Sequence, residues 1–182
     1  MSAMPTEKAA AAVIDRCRRL FEQKTADYGT AWRILRLPSI TDQIYIKARR
    51  IRSIQEKGTQ QVADPIADEF VAIVNYAFMA LMQLGWAGEP RLDLPVQEVM
   101  AAYGRIATET LALMGRKNHD YGEAWRLMRV SSITDIILMK LLRVKQIEDR
   151  DGRTLVSEGV AANYQDMANY AVFALILLEE QE

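Results

Sequence analysis

Lys24-Thr-Ala-Asp-Tyr-Gly-Thr-Ala-Trp-Arg33 returns as Lys117-Asn-His-Asp-Tyr-Gly-Glu-Ala-Trp-Arg126, and this recurrence decides the fold. The register continues through Ser39-Ile-Thr-Asp42 against Ser132-Ile-Thr-Asp135, then Lys47 against Lys140 and Arg50 against Arg143. Across 24–51 and 117–144, 15 of 28 positions are identical. One residue is gained before the last shared segment, where Asn75-Tyr76-Ala77 reappears as Asn169-Tyr170-Ala171. A chain that repeats itself at this length builds one supersecondary unit twice. The units span about 7–86 and 100–180, with a linker over 87–99. Within Gly85-Trp-Ala-Gly-Glu-Pro-Arg-Leu-Asp-Leu-Pro95, two glycines and two prolines stop one helix and delay the next. So short a linker predicts that the two units pack together as one domain, imitating a two-fold dimer.

Each unit reads as three helices. The first covers roughly Glu7 to Thr25, or Tyr103 to Gly115 and slightly beyond, until Asp-Tyr-Gly breaks it. The Trp-bearing segment that follows is one or two short turns. A second helix is expected from Ser39 or Ser132, where Ser-x-x-Asp resembles a capping box, to near Gly58 or Gly152. The third covers about 66–84 and 160–180. Val160, Tyr164, Met167, Ala171, Ala174 and Leu178 keep the spacing of one buried helical face. No stretch alternates strictly enough for a strand. The fold class is therefore all-α, a helical bundle of two tandem three-helix repeats.

Composition narrows the function. Half of the 182 residues are apolar, enough to remove roughly 70% of the unfolded surface from water. Net charge is −1, so no basic excess points to duplex nucleic acid, although a small phosphorylated ligand needs only a local cluster. Cys17 is alone and reads as a cysteine at the edge of a core. No N-terminal apolar run resembles a signal peptide. The richest apolar stretch, Tyr170-Ala-Val-Phe-Ala-Leu-Ile-Leu-Leu178, falls far short of the 18 or so residues of a membrane helix. A cytoplasmic protein without a membrane partner is the expectation.

Several polar residues lie where the pattern wants apolar ones. Lys140 and Arg143 flank the stripe Ile133, Ile137, Leu141, Val144 and Ile147; Lys47 and Arg50 repeat them in the first unit. Such cations either snorkel outward or form a phosphate-facing pair, a point charge beside a bidentate fork. In the third helix of the second unit, Asn163, Asp166 and Asn169 share a face, with Glu158 ahead of them. Oxygens in that row suit a hard cation such as magnesium, or else serve as solvent-facing groups. The first unit departs here. Asp64 and Asn75 match Glu158 and Asn169, but Ala72 stands at the position of Asp166, while Asp68 and Glu69 supply carboxylates near the helix start. An acidic site is thus expected in the second unit, with the first as its structural mate.

Asp27-Tyr28-Gly29 and Asp120-Tyr121-Gly122 suit a turn by themselves. Yet Lys117, Asp120, Tyr121 and Trp125, like Lys24, Asp27, Tyr28 and Trp32, crowd aromatics and charges beside that turn, where a base could stack. His119, the only histidine, has no counterpart in the first unit and reads as a surface residue.

The combination Lys-x-x-Asp-Tyr-Gly-x-Ala-Trp-Arg, Ser-Ile-Thr-Asp, Lys-x-x-Arg and Asp-x-x-Asn-Tyr-Ala resembles the nucleotide modification associated domain 1 family. That family is similar, distantly, to MazG-like all-alpha nucleoside triphosphate pyrophosphohydrolases and dimeric dUTPases. The resemblance implies a MazG-like bundle in which magnesium, held by helix carboxylates, helps water attack a nucleotide's phosphate chain. It further implies Glu158 and Asp166 as catalytic metal ligands, Asp135 as a further ligand, and Asn169 as a polar partner. Lys140 and Arg143, with Lys47 and Arg50, would face phosphates. The Glu-x-x-Glu element of those hydrolases is missing: Glu109 has Ile106 and Ala112 at the spacing where a second acid belongs. Two functions are accordingly expected: a magnesium-dependent pyrophosphohydrolase or related nucleotide-processing enzyme, or a non-catalytic nucleotide-binding or interaction module. A homodimer is a further expectation of the resemblance.

Overall fold

The computed structural model describes residues 3–155 and 158–182. Among these, six helices follow in order: α1 (Thr6–Tyr28), α2 (Leu37–Lys57), α3 (Ile66–Gly85), α4 (Val96–Tyr121), α5 (Val130–Asp149) and α6 (Val160–Glu180). One 3-10 turn carries each tryptophan motif, Ala31–Ile34 and Ala124–Leu127. The all-α bundle and the tandem three-helix organisation are both present.

The centre is a four-helix layer of α2, α3, α5 and α6, in which α3 packs most extensively on α6. Ile40, Ile44, Ala48 and Ile51 of α2 and Ile133, Ile137, Leu141 and Val144 of α5 are fully buried. These are the stripes that the 3-or-4 spacing marks. Each such aliphatic side chain contributes about 1.5–3 kcal/mol on burial. Helices α1 and α4 lie against each other and against both α3 and α6, and one hydrophobic cluster draws residues from both repeats. By length and composition α3 could cross a membrane, but half of its apolar window is buried inside the bundle. That is the signature of a core helix.

The α2–α5 contact is reciprocal. Arg52 of α2 pairs with Asp135 of α5 at 3.6 Å, and Lys145, the counterpart of Arg52, pairs with Asp42, the counterpart of Asp135, at 2.9 Å. Likewise Gln55 donates to Thr134 at 3.2 Å, while Thr41 donates to Glu148, the counterpart of Gln55, at 2.6 Å. Contacts exchanged in this way are those of an isologous two-fold interface, here built within one chain.

Three local expectations need correction. Helices α2 and α5 begin at Leu37 and Val130, ahead of the serines, and their N-caps are Arg36 and Arg129 with no side-chain capping bond. The Ser-x-x-Asp capping box does not form, because Asp42 and Asp135 are spent on the interface between repeats. Helix α4 begins at Val96 rather than Tyr103, directly after Pro95, whose fixed φ suits a helix start. Both Asp-Tyr-Gly turns behave as expected: Gly29 and Gly122 have φ of 62° and 59° and end α1 and α4.

Glu148 lies beside both Thr41 and the buried Tyr164, whose hydroxyls are 2.7 Å apart. Burial pushes its carboxyl up from the ordinary range, and the hydrogen bonds from Thr41 and Tyr164 recover only part of the cost. The first repeat carries neutral Gln55 at the same place. A Glu148→Gln variant is therefore expected to melt about 2–4 °C higher at neutral pH, as a gain near 1 kcal/mol does at this size. The raised carboxyl fixes the sign: the parent loses stability as pH rises from the ordinary carboxylate range through the folded-state value. The gap is full above that value and closes in acid, where Glu148 is protonated. Thermal melts across pH test this, and a gap that stays constant into acid would refute it.

Candidate functional site

The two repeats place the same motif residues in the same frame and use them differently. In the second, Asp166 is 6% exposed on α6. Lys117 of α4 donates to its Oδ1 at 2.7 Å, and Lys140 of α5 donates to its Oδ2 at 2.8 Å. Burial alone would raise this carboxyl; the hydrogen bonds and charges of the two lysines outweigh it and hold the group below its usual range. Lys117 is raised in turn, since its bond and attraction to Asp166 outweigh its own desolvation. Both oxygens of the expected metal ligand are thus engaged by cations. Trp125 is buried and stacks on Phe173 with ring centroids 4.3 Å apart and planes 8° apart, and Tyr170 meets Phe173 edge-on.

In the first repeat, Ala72 stands for Asp166 and Met79 for Phe173, so neither the carboxylate nor the ring is there. A cleft of about 710 Å³ lies among α1, α2 and α3. Lys24, Tyr28, Trp32, Lys47, Glu69 and Tyr76 are among the side chains that line it, with Ala72 and Met79 in its wall. The repeat expected to be the structural mate thus carries a cleft at the motif residues themselves. Its carboxylate sits one helical turn earlier, at Glu69, where the second repeat has Asn163. Glu69 is 7% exposed and loosely held, with Lys47 at 3.7 Å and Arg50 at 3.3 Å. Its Oε2, like the indole nitrogen of Trp32, is buried without a hydrogen-bond partner. The indole nitrogen of Trp125 in the second repeat is likewise buried without a partner.

The remaining expected residues divide between packing and surface. Asp135 pairs with Arg52, so it points at α2 while Lys140 points at α6. Glu158 is exposed and lines a crevice together with Lys140, Arg143 and Asn163, and its charge helps raise Lys117. Among the described residues, no three His, Cys, Asp or Glu side chains form a group able to hold a metal ion. Asn75 and Asn169 are used inside the bundle, where their amides donate to the carbonyls of Cys17 and Thr110, tying α3 to α1 and α6 to α4. Cys17 is itself fully buried and its thiol is pushed up to about 12 by burial. Asp27 and Asp120 face solvent, and His119 lies 3.4 Å from Asp120 at the surface. Arg33 grips the linker through the carbonyls of Glu89 and Arg91 and lies over Trp86. Arg126 does the equivalent for the chain ends, through Glu180 and the Met4 carbonyl. The roles of Ala72, Met79 and Phe173 carry no polar signal. Only aligning the repeats for size as well as charge would reveal them.

The family model for nucleotide modification associated domain 1 matches the chain twice, over residues 24–84 and 117–178. No curated protein and no solved structure matches it.

Asp166→Asn removes the charge that two lysines share. A half-buried ion pair broken on one side costs less than the 3–5 kcal/mol of a fully buried one, because Lys117 remains partly hydrated; about 1–3 kcal/mol is expected. The stabilisation in the parent is complete above the ordinary carboxylate range and disappears as pH falls through the lowered folded-state value. Denaturant titrations should therefore separate the two proteins at neutral pH and bring them together only in strong acid.

Proposed function

Because the chain belongs to the nucleotide modification associated domain 1 family, we propose that it binds a nucleoside phosphate in the cleft of its first repeat. The observation that supports this best is the joint placement of Lys24, Lys47, Tyr28, Trp32 and Tyr76 on one cleft. Aromatic faces accept a base, and lysines meet its phosphates as point charges. The free indole N–H of Trp32 offers a donor to the sugar or the base edge. A volume of about 710 Å³ is within the size range of small-ligand sites.

A second reading, magnesium-dependent hydrolysis of the bound phosphate chain, is favoured by Glu69. Magnesium is held by one or two carboxylates plus substrate phosphates, so it needs no closed protein cage. Glu69, whose Oε2 has Lys47 at 3.7 Å but no hydrogen bond, and the exposed Asp68 at the cleft would hold the ion. Bound there, it would polarise phosphate oxygens and activate water. The donor set fits in the first repeat. In the second, the oxygens of Asp166 already receive two lysines. Lys24 and Lys47 would orient the chain and offset its charge, and Tyr28 would cover the base at the lip.

Calorimetric titration with common and base-modified nucleoside triphosphates tests the binding reading. Lys24→Gln, an exposed position, is expected to weaken affinity about tenfold, the loss of one charge-assisted contact of roughly 1.5 kcal/mol. Trp32→Phe should weaken purine and pyrimidine ligands alike, while Lys117→Gln leaves affinity unchanged. Binding that depends on Lys117 and not on Lys24 would overturn the assignment. For the second reading, magnesium-dependent pyrophosphate release should fall at least a hundredfold in Glu69→Gln, the order of a lost catalytic group; binding with no release from any of these nucleotides leaves a binding module.

A further inference from the structure

The displacement of one carboxylate by a helical turn has a second effect. In the first repeat, Glu69 neutralises Arg50, whose other nitrogen bonds the carbonyls of Val62 and Asp64. Gln60 closes on the same two carbonyls. The crevice between α2 and the loop before α3 is open too, about 520 Å³, but its arginine is held by Glu69 and by the loop carbonyls, although Nη1 of Arg50 makes no hydrogen bond. In the second repeat the residues lining the equivalent crevice, about 600 Å³, include Lys140, Arg143, Arg150, Arg153, Asn163 and the acid Glu158. Asn163 stands where Glu69 would be. It is buried, and its amide is turned to the carbonyl of Gly159. Asp166, the relocated acid, faces Lys117 and Lys140 instead.

Arg143 is left with no acidic partner among the described residues, and Arg150, which caps the C-terminal end of α5 and lines the same crevice, is in the same condition. Opposing charge is slight. Glu158 stands exposed at the mouth, and Asp151 approaches Arg153 only to 3.9 Å with both fully at the surface. No aromatic ring lines the space, so nothing there would hold a base.

We propose that this crevice is an anion site for a bare phosphate chain, of which inorganic diphosphate is the simplest form. Two long arginine side chains lining one crevice can converge on a ligand with oxygens at both ends, each fork taking one phosphoryl group in the bidentate manner. Lys140 keeps two further donors after bonding Asp166 and reaches the same space. The two repeats thereby take different parts of related chemistry: aromatic walls and Lys24 in the first, guanidinium groups without a wall in the second. This assignment does not rest on nucleotide binding by the first repeat.

The experiment is calorimetric titration of the whole chain with inorganic diphosphate. The parent is compared with Arg143→Gln/Arg150→Gln, with Asn163→Glu and with Lys24→Gln. Asn163→Glu removes no cation; it restores the carboxylate that silences Arg50 in the first repeat. Both it and the double arginine variant are expected to weaken diphosphate about tenfold or more. Thermal melts of each variant confirm folding, and the arginines are exposed enough that their replacement leaves the core intact. Diphosphate binding that survives the arginine variant, binding lost only in Lys24→Gln, or no binding at millimolar diphosphate would each overturn the proposal. A single-stranded oligonucleotide that binds through Arg143 and Arg150 where diphosphate does not would overturn it as well, by showing a phosphodiester backbone to be the ligand.

Discussion

Everything in this molecule depends on α3 and α6 burying each other. Phe70, Ile73, Val74, Ala77 and Phe78 of α3 and Met167, Ala168, Ala171, Val172 and Ala174 of α6 are solvent-free. Neither helix can hide so much apolar surface on the other two helices of its own repeat. A single repeat would leave such a face in water at a cost of about 25 cal/mol for every Å². Duplication supplies the missing cover. The reciprocal pairs between α2 and α5 then fix how the units meet, because ion pairs and Thr–Gln or Thr–Glu bonds are directional where apolar contact is not. Arg52–Asp135 and Lys145–Asp42 are partly exposed and contribute little energy each. Their value lies in setting register.

Within that frame the sites are consequences of helix geometry. The Lys24 and Lys117 positions lie near the ends of α1 and α4, Lys47 and Lys140 midway along α2 and α5, and the carboxylates near the starts of α3 and α6. Three helices bring these groups together wherever the repeat occurs. The positively disposed glycines 29 and 122 then turn the chain so that the following tryptophan reaches back toward the same place. Tyrosines 28 and 121, both 73% exposed, remain at the rim.

Much of this was legible in the sequence because repetition doubles every signal. The buried stripes of α2 and α5, the helix breaks at Asp-Tyr-Gly and the short turn carrying each tryptophan follow from spacing and from glycine's freedom at positive φ. The capping boxes were not, since Ser-x-x-Asp before an apolar run looks the same whether aspartate closes a helix end or crosses to another helix. The choice of repeat was harder. Reading carboxylates and amides by spacing led to Asp166, and the spacing was sound: it does share a face with Asn163 and Asn169. Spacing along one helix carries no information about Lys117 and Lys140 arriving from two others. Nor does it reveal that Ala72 and Met79 open a space, because a cleft is made by what the residues lack.

The carboxylate's position is what separates the two repeats physically. At position 69 it stands one turn nearer the helix start, where it draws on Lys47 and Arg50 and leaves Lys24 facing the open cleft. At position 166 it reaches Lys117 and Lys140 at 2.7 and 2.8 Å and releases the arginine. A buried carboxylate can satisfy only the cations that reach its two oxygens, so moving it by three residues exchanges which cation is left for a ligand. The aromatic partners follow the same division. In the second repeat Trp125 stacks on Phe173, whereas in the first, with Met79 at that place, Trp32 packs on Phe21 and Trp86 and lines the cleft. Two copies that kept the same motif lysines, tyrosines and tryptophans thus differ in surface through three uncharged-for-charged or small-for-large exchanges, at 69/163, 72/166 and 79/173, and one cation exchange, at 57/150. The last of these, Lys57 against Arg150, adds a second fork beside the freed Arg143 and none beside Arg50. Identity between repeats therefore marks the shared frame, and the differences set the charge and shape of each cleft.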